Sequence, residues 1–298
     1  METNMALFTL NFFSKCLMVN TQVNVVMPRI ELCQEPEEFY GSGKKYQVLW
    51  LLHGSCGDYT DWIRNTNIAR YGEERDLIVV MPSVLNSDYS NYSTFADGFR
   101  VWDYLTEELM PLVYNWLPAS DKKEDNFIAG LSMGGNGALM VGLGHPDLFE
   151  GVAVLSSTAR EIEYLRPVAS MTSAEFRKAA KDPIKFPGPN GTGMRLKEIN
   201  QVAKYETVQD FLDSYENAWD RFPEVVKAGK LPKMYVSCGT KDVNVYPRFL
   251  RFRKYAEDLG ADIRFEEEEG FCHEYALWDI SIRKALDYFG IEKVHAGL

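Results

Sequence analysis

Ser132 stands in the stretch Ile128-Ala129-Gly130-Leu131-Ser132-Met133-Gly134-Gly135-Asn136-Gly137, which holds G-x-S-x-G from Gly130 to Gly134. A serine hydroxyl is a weak nucleophile until a base takes its proton and a third group orients that base. A strand-like run, Asn126 to Ala129, precedes the motif, and a helix-forming run, Gly137 to Leu143, follows it. Strand, sharp turn and helix are what a nucleophile elbow needs. The serine takes a strained backbone conformation, and the flanking glycines let strand and helix approach without Cβ clashes. The alternative is a glycine-rich turn that happens to hold a serine. The flanking elements decide for the elbow.

The base must be sought among four histidines. Behind an elbow of this kind the chain order is serine, then Asp or Glu, then histidine. His53 precedes Ser132 and ends a buried strand, so the order excludes it. His145 follows the elbow helix and belongs at the opposite edge of the sheet. His295 lies beyond the last helix, where order is least expected. His273, in Gly270-Phe271-Cys272-His273-Glu274, comes just after a strand and before a helix, and is the expected base. The acid should follow the strand between elbow and base. That strand is Lys233 to Ser237, and Asp242 in Cys238-Gly239-Thr240-Lys241-Asp242 is the expected partner, with Glu269 and Glu274 as rivals beside His273. Asp210, Asp213 and Asp220 read as solvated helix faces, and Glu266 to Glu269 as a solvated edge.

Acyl transfer also needs two preorganised N–H donors for the tetrahedral oxyanion. One follows the nucleophile, at Met133. The other belongs to the loop after the strand ending in His53-Gly54, at Ser55, with Gly54 and Cys56 as alternatives. Tyr89, Tyr92, Phe95 and Trp278 are candidates to line a substrate pocket, against the ordinary reading of aromatic residues as core. Cys56 and Cys272 adjoin proposed site residues. Exposed, they would make activity sensitive to thiol reagents; as small buried hydrophobes they would be silent, and that is the expectation.

These residues need a scaffold that brings them to one end of a sheet. Leu7 to Phe13 and Gln22 to Met27 alternate as two antiparallel strands. Tyr46 to Leu52, Leu77 to Met81 and Gly151 to Leu155 are continuous apolar runs, hence strands buried on both faces. Lys233 to Ser237 and Ile263 to Glu267 add two more. Helices are expected from Asp58 or Thr60 to about Tyr71, over Phe99 to Trp116 despite Pro111, over Pro247 to Leu259 and over Tyr275 to Phe289. Ser83 to Gly98 reads as a long loop at the carboxyl end of a strand, where such sheets bind ligands. Ser156 to Lys230 breaks the rhythm with helical patches at Thr172 to Ala180 and Val208 to Ala218. It reads as a helical cap-like insertion over the active site whose apolar content is thin for a core of its own. The expectation is one α/β domain over residues 1–298, with a doubly wound, mostly parallel sheet.

Composition bounds the partners. The chain has 298 residues, 46% hydrophobic and 25% charged, with a formal net charge of −11. That charge argues against nucleic acid and an anionic membrane surface, and it gives acidic substrates no help. Five cysteines without CxxC spacing suggest reduced thiols, with neither a disulfide framework nor a zinc site. No run approaches the roughly 20 apolar residues of a membrane span. Glu2 stands where a signal peptide would carry basic residues. A cytoplasmic protein is the expectation.

With its residues in place the chain resembles the esterase branch of the α/β-hydrolases that includes esterase D, S-formylglutathione hydrolases and feruloyl esterases. It looks nearest the bacterial tributyrin-type esterases. The resemblance covers most of the chain. It rests on Leu51-Leu52-His53-Gly54 with Asp61-Trp62, on Gly130 to Gly135, on Gly239-Thr240-Lys241-Asp242, and on His273-Glu274-Tyr275 with Trp278. It implies an α/β-hydrolase fold in which Ser132, Asp242 and His273 form a triad. It implies hydrolysis of short-acyl esters of small molecules through an acyl-enzyme, with no metal or organic cofactor, and a possible homo-oligomer. A feruloyl or acetyl-xylan-oligosaccharide esterase is the alternative within the class; an acyltransferase or a silent binding scaffold lies outside it. S-formylglutathione hydrolases of this kind carry an Asp-Thr-Ser-Pro-Arg-Gly-like stretch where this chain has Ser83-Val84-Leu85-Asn86-Ser87-Asp88, which makes a glutathione thioester the lesser expectation.

Overall fold

Val48–Leu52, Ile78–Pro82 and Gly151–Leu155 are strands in which every residue is buried. Such runs have no face to offer water, so they take the middle of a sheet covered on both sides. A computed structural model describes residues 6–30, 34–92, 99–186 and 193–295 and shows that sheet. Its strands are β1 (Ala6–Ser14), β2 (Val19–Met27), β3 (Val48–Leu52), β4 (Ile78–Pro82), β5 (Asn126–Leu131), β6 (Gly151–Leu155), β7 (Lys233–Gly239) and β8 (Ile263–Glu268). Their order is β1-β2-β4-β3-β5-β6-β7-β8. β1 and β2 pair antiparallel, as does β2 with β4, and the remaining pairs are parallel.

Two apolar layers enclose this sheet. One joins Trp50, Ile128 and Val154 to Leu105, Leu139, Phe222 and Phe249. The other joins Leu49, Leu51 and Ala129 to Trp62, Ile68, Leu277 and Ile282. Alternate residues of each strand point to opposite layers, as the two-residue period requires. The result is an α/β-hydrolase fold, a mostly parallel sheet wound on both faces. Among the described residues no helix is long and apolar enough to cross a membrane.

Three segments depart from expectation. The single helix sought between Thr60 and Tyr71 is two, Asp61–Asn65 and Ile68–Glu73, because Thr66 between them is extended. Around Pro111 the chain inserts a π-helical turn, Tyr104–Leu109, ahead of the helix Met110–Trp116. The wider turn suits a proline that has no N–H and whose ring crowds the carbonyl one turn earlier. Between β6 and β7 the helices are Ser173–Ala179, Leu196–Val202, Val208–Leu212 and Ala218–Lys227. Instead of thin apolar content, residues 162–212 contribute a separate cluster that includes Ile162, Leu165, Phe176, Phe186, Ile199, Val208 and Phe211. Ala218, Phe222 and Val225 of the last helix pack into the main core instead.

Candidate active site

β5 is central and delivers Ser132 at its carboxyl end, where the helix Met133–Gly144 begins. The helix therefore starts directly after the serine, at Met133, four residues earlier than the sequence suggests, through glycines of low helix propensity. Packing imposes this. A Cβ at Gly130 would lie 2.2 Å from the Gly134 carbonyl oxygen, and one at Gly134 would lie 2.3 Å from that of Leu52. Ser132 has φ 52° and ψ −114°, a conformation that costs a non-glycine residue on the order of 1–3 kcal/mol. Its N–H donates to the Leu155 carbonyl at 2.8 Å, which pins the turn to β6.

From this turn Ser132 Oγ lies 2.9 Å from His273 Nε2. His273 Nδ1 lies 2.6 Å from Asp242 Oδ2. With Nδ1–H donating to the carboxylate, Nε2 keeps its lone pair for the serine proton. Asp242 Oδ1 accepts from the amides of Asn244 (3.2 Å) and Val245 (3.0 Å). Burial pushes the Asp242 carboxyl up, but the bond and charge of His273 together with those amides outweigh it and hold the group below the usual carboxylate range. Neither rival takes that place. Glu274 accepts from the Cys272 amide at 2.9 Å, and Glu269 is exposed.

The two loops that carry Asp242 and His273 are stitched together. The Lys241 amide donates to the Phe271 carbonyl at 2.9 Å, and the Gly270 amide to Thr240 Oγ1 at 2.9 Å. Trp278, a pocket candidate in the sequence, is buried behind the site instead. Its ring meets that of His273 edge-on with centroids 5.0 Å apart, and its Nε1–H donates to Ser156 Oγ at 2.9 Å. An indole in this position limits the tilt of the imidazole, so Trp278 backs the His273 ring rather than lining the cavity.

Ser55 and Met133 both line the cavity that holds Ser132 and His273. Met133 is the first residue of its helix, so its N–H has no carbonyl one turn back within the helix. The loop of Ser55 is fixed from behind by His53. That ring is buried; Nδ1–H donates to the Gly54 carbonyl at 2.7 Å, and Nε2 accepts from the Val84 amide at 3.1 Å. Burial depresses the pKa of His53 below its ordinary value, in keeping with a neutral ring that accepts at Nε2. Tyr89 Oη donates to the His53 carbonyl at 2.9 Å, and Asn86 Oδ1 accepts from the Cys56 amide at 2.7 Å.

The segment after β4 thus does more than shape a pocket. Its described part braces the Ser55 loop, and Tyr89 is wholly buried against Gly137 rather than pocket-lining. Tyr92 lines a neighbouring cleft with Ser55, Cys56 and Lys197 and carries the Lys204 ammonium over its ring at 4.5 Å. Phe95 lies outside the described residues. Cys56 and Cys272 are exposed, against the expectation of buried hydrophobes, because each sits on a turn at the sheet's carboxyl end. His145 is half-buried at the far end of the elbow helix beside Trp102, and His295 pairs with Asp76 at 2.8 Å. Among the described residues no group of three or more His, Cys, Asp or Glu is placed to hold a metal ion.

The cavity measures about 290 Å³. Besides the residues expected from sequence it is lined by Arg160, Arg195, Lys197 and Arg248, which no local pattern marks because they come from three widely separated segments of the chain.

Residues 32–287 match the family model described as "Putative esterase". An acetyl esterase of Caldicellulosiruptor saccharolyticus is 26% identical over 288 residues, covering 95% of this chain and 98% of that protein. Among solved structures, the apoenzyme of an S-formylglutathione hydrolase from Staphylococcus aureus (FrmB) superposes with a TM-score of 0.72 at 26% identity, covering 97% of this chain and 100% of that one. A substrate-bound fluorophosphonate-binding serine hydrolase from the same organism (FphF) gives 0.74 at 24%, with the same coverage. A ferulic acid esterase of Anaeromyces mucronatus in complex with ferulic acid gives 0.55 at 15%, covering 95% and 92%, a likeness of fold alone.

Proposed function

Because the chain belongs to the putative esterase family and is a carboxylic ester hydrolase, we propose that it cleaves short-acyl esters of small molecules with Ser132 as nucleophile, His273 as base and Asp242 as its orienting acid. The continuous line from Ser132 Oγ to His273 (2.9 Å) to Asp242 (2.6 Å) carries this reading. Ser132 Oγ attacks the ester carbonyl while its proton passes to His273 Nε2. The negative charge that develops on the carbonyl oxygen takes the N–H groups of Ser55 and Met133, each worth ~3 kcal/mol in comparable sites. Collapse breaks the C–O bond, and Nε2–H protonates the departing alkoxide. Water then attacks the acyl-enzyme and gives its proton to Nε2; the C–Oγ bond breaks, Nε2–H returns the proton to Ser132 Oγ, and the acid is released.

A cavity of about 290 Å³ stands at the small end of the roughly 300–1,000 Å³ of ligand pockets, which favours acetyl-sized acyl groups over long chains. The acetyl esterase relative supports the same size. Free thiols at Cys16, Cys56, Cys238 and Cys272 suit a reducing, cytoplasmic setting. A second reading, a thioester of an anionic thiol, is favoured by the S-formylglutathione hydrolase structure. The test is labelling with a fluorophosphonate probe followed by turnover of p-nitrophenyl acetate, tributyrin, methyl ferulate and S-formylglutathione. Labelling at Ser132 with preference for the short acyl esters is expected. Ser132→Ala protein that still turns over p-nitrophenyl acetate would sink the assignment.

A further inference from the structure

The chain carries a net charge of −11, yet four cations, Arg160, Arg195, Lys197 and Arg248, line the cavity beside Ser132. The carboxylates lining the same cavity are Asp88, Glu198 and Asp242, and each is already committed. Asp242 serves His273. Asp88 lies 2.8 Å from Lys197 Nζ and 3.5 Å from Arg160, an ion pair by distance although neither oxygen has an aligned hydrogen bond. Glu198 pairs with Arg195 at 2.7 Å.

Arg248 is left over. Burial, and then the like charges of Arg160 and Arg195, press its pKa down to about 10. Its Nε is buried and has no hydrogen-bond partner among the described residues. An unpaired buried donor is destabilising, and crowded guanidinium groups repel. A fold keeps such an arrangement when something outside the chain completes it. A guanidinium offers a flat fork of donors that matches an oxyanion; Glu198 and Asp242 act on Arg248 only through their charge, and among the described residues neither forms an ion pair or hydrogen bond with it.

We propose that this cavity binds an oxyanion, a carboxylate or a phosphate, that is part of the ester substrate, with Arg248 as its anchor and Arg160 and Arg195 beside it. The proposal rests on the ester-hydrolase reading and adds the charge of the substrate. Reacting serine and arginines line one small cavity, so the anion and the scissile carbonyl belong to one compact molecule. The net charge disfavours such a substrate at long range. The local cations act within about 10 Å, where their field dominates and salt weakens it.

The test compares kcat/KM for 4-nitrophenyl hemiglutarate with that for its neutral methyl ester, corrected for spontaneous hydrolysis. Wild type should favour the hemiglutarate at least tenfold at low salt. Arg248→Gln should lower that ratio at least tenfold, and Arg248→Lys should lower it less. A wild-type ratio at or below one, or a ratio unmoved by Arg248→Gln in folded protein, overturns the proposal. Competition against the neutral ester needs no variant. Inhibition by glutarate or by inorganic phosphate, with none by glutaramide, supports the site and tells carboxylate from phosphate; inhibition by neither overturns it. Calorimetric titration of Ser132→Ala protein with the same anions reads the site without turnover, so its failure is distinguishable from failure of the hydrolase reading.

Discussion

A Cβ placed on Gly239 would lie 2.3 Å from the carbonyl oxygen of Phe271. Gly239 ends β7 and Phe271 precedes the His273 turn, so this contact sets how close the Asp242 loop comes to His273. Gly239→Ala forces backbone against backbone, and no side chain can move aside to relieve it. The expected result is a fall in kcat on the order of 10²-fold from misplacement of the acid, with a loss of ~1–3 kcal/mol of stability. Steady-state kinetics beside urea unfolding checks both; an active, fully stable variant refutes the account.

Ser132 holds a left-handed conformation, φ 52°, that a glycine adopts without strain. Ser132→Ala and Ser132→Gly should both lose kcat by ~10⁴-fold or more. Only the glycine variant should gain stability, by about 1 kcal/mol. Denaturation midpoints of the two variants compared with wild type read the strain directly.

His53 and Asp242 are two of the groups that contribute to acid lability, in different windows. Burial lowers the pKa of folded His53, so the unfolded chain takes up that proton first. Its contribution is whole above about 6.5, the ordinary histidine value, and is lost as pH falls toward the lower folded value. The Asp242 carboxyl is also lowered on folding, net of burial, by His273 and two amides. Its contribution is whole above about 3.9 and is lost as pH falls through the folded value. His53→Gln keeps an acceptor for the Val84 amide without a titrating ring. It should reduce the slope of stability against pH just below 6.5; His145, lowered chiefly by burial, leaves some slope behind. Urea midpoints from pH 8 to pH 4 give the slopes, and an unaltered slope in His53→Gln removes this role.

Cys272 is exposed and adjoins His273, and Cys56 is exposed on the loop of Ser55. Alkylation adds bulk at a turn whose position the chemistry depends on. Saturating iodoacetamide should lower kcat/KM on the order of tenfold, and the Cys56→Ser, Cys272→Ser double variant should resist it. Unchanged activity after complete alkylation, counted by mass spectrometry, dismisses the effect.

Short-range pattern determined much of this protein. Runs without polar residues marked the central strands, and G-x-S-x-G between strand and helix marked the turn at Ser132. Chain order together with the strand and helix that flank each candidate singled out His273 and Asp242 as the pair to examine, with Glu269 and Glu274 as rivals, and these two and Ser132 do lie in hydrogen-bond contact. Such signals are legible because each is enforced by neighbours in the chain, through burial period, backbone conformation and connection order. The resemblance to esterases compressed the same local motifs.

Tertiary structure decided whatever depends on where distant segments meet. No periodicity tells that Trp278 backs the His273 ring instead of lining the cavity, or that Tyr89 fills space against Gly137. Nor does spacing reveal that Arg160, Arg195 and Arg248, widely separated in an acidic chain, converge beside Ser132. Charge summed along a sequence is a scalar, whereas the field at a serine depends on position. The serine, histidine and aspartate motifs are therefore written locally, whereas the charge of the cavity around Ser132 arises from the folded arrangement of residues that share no motif.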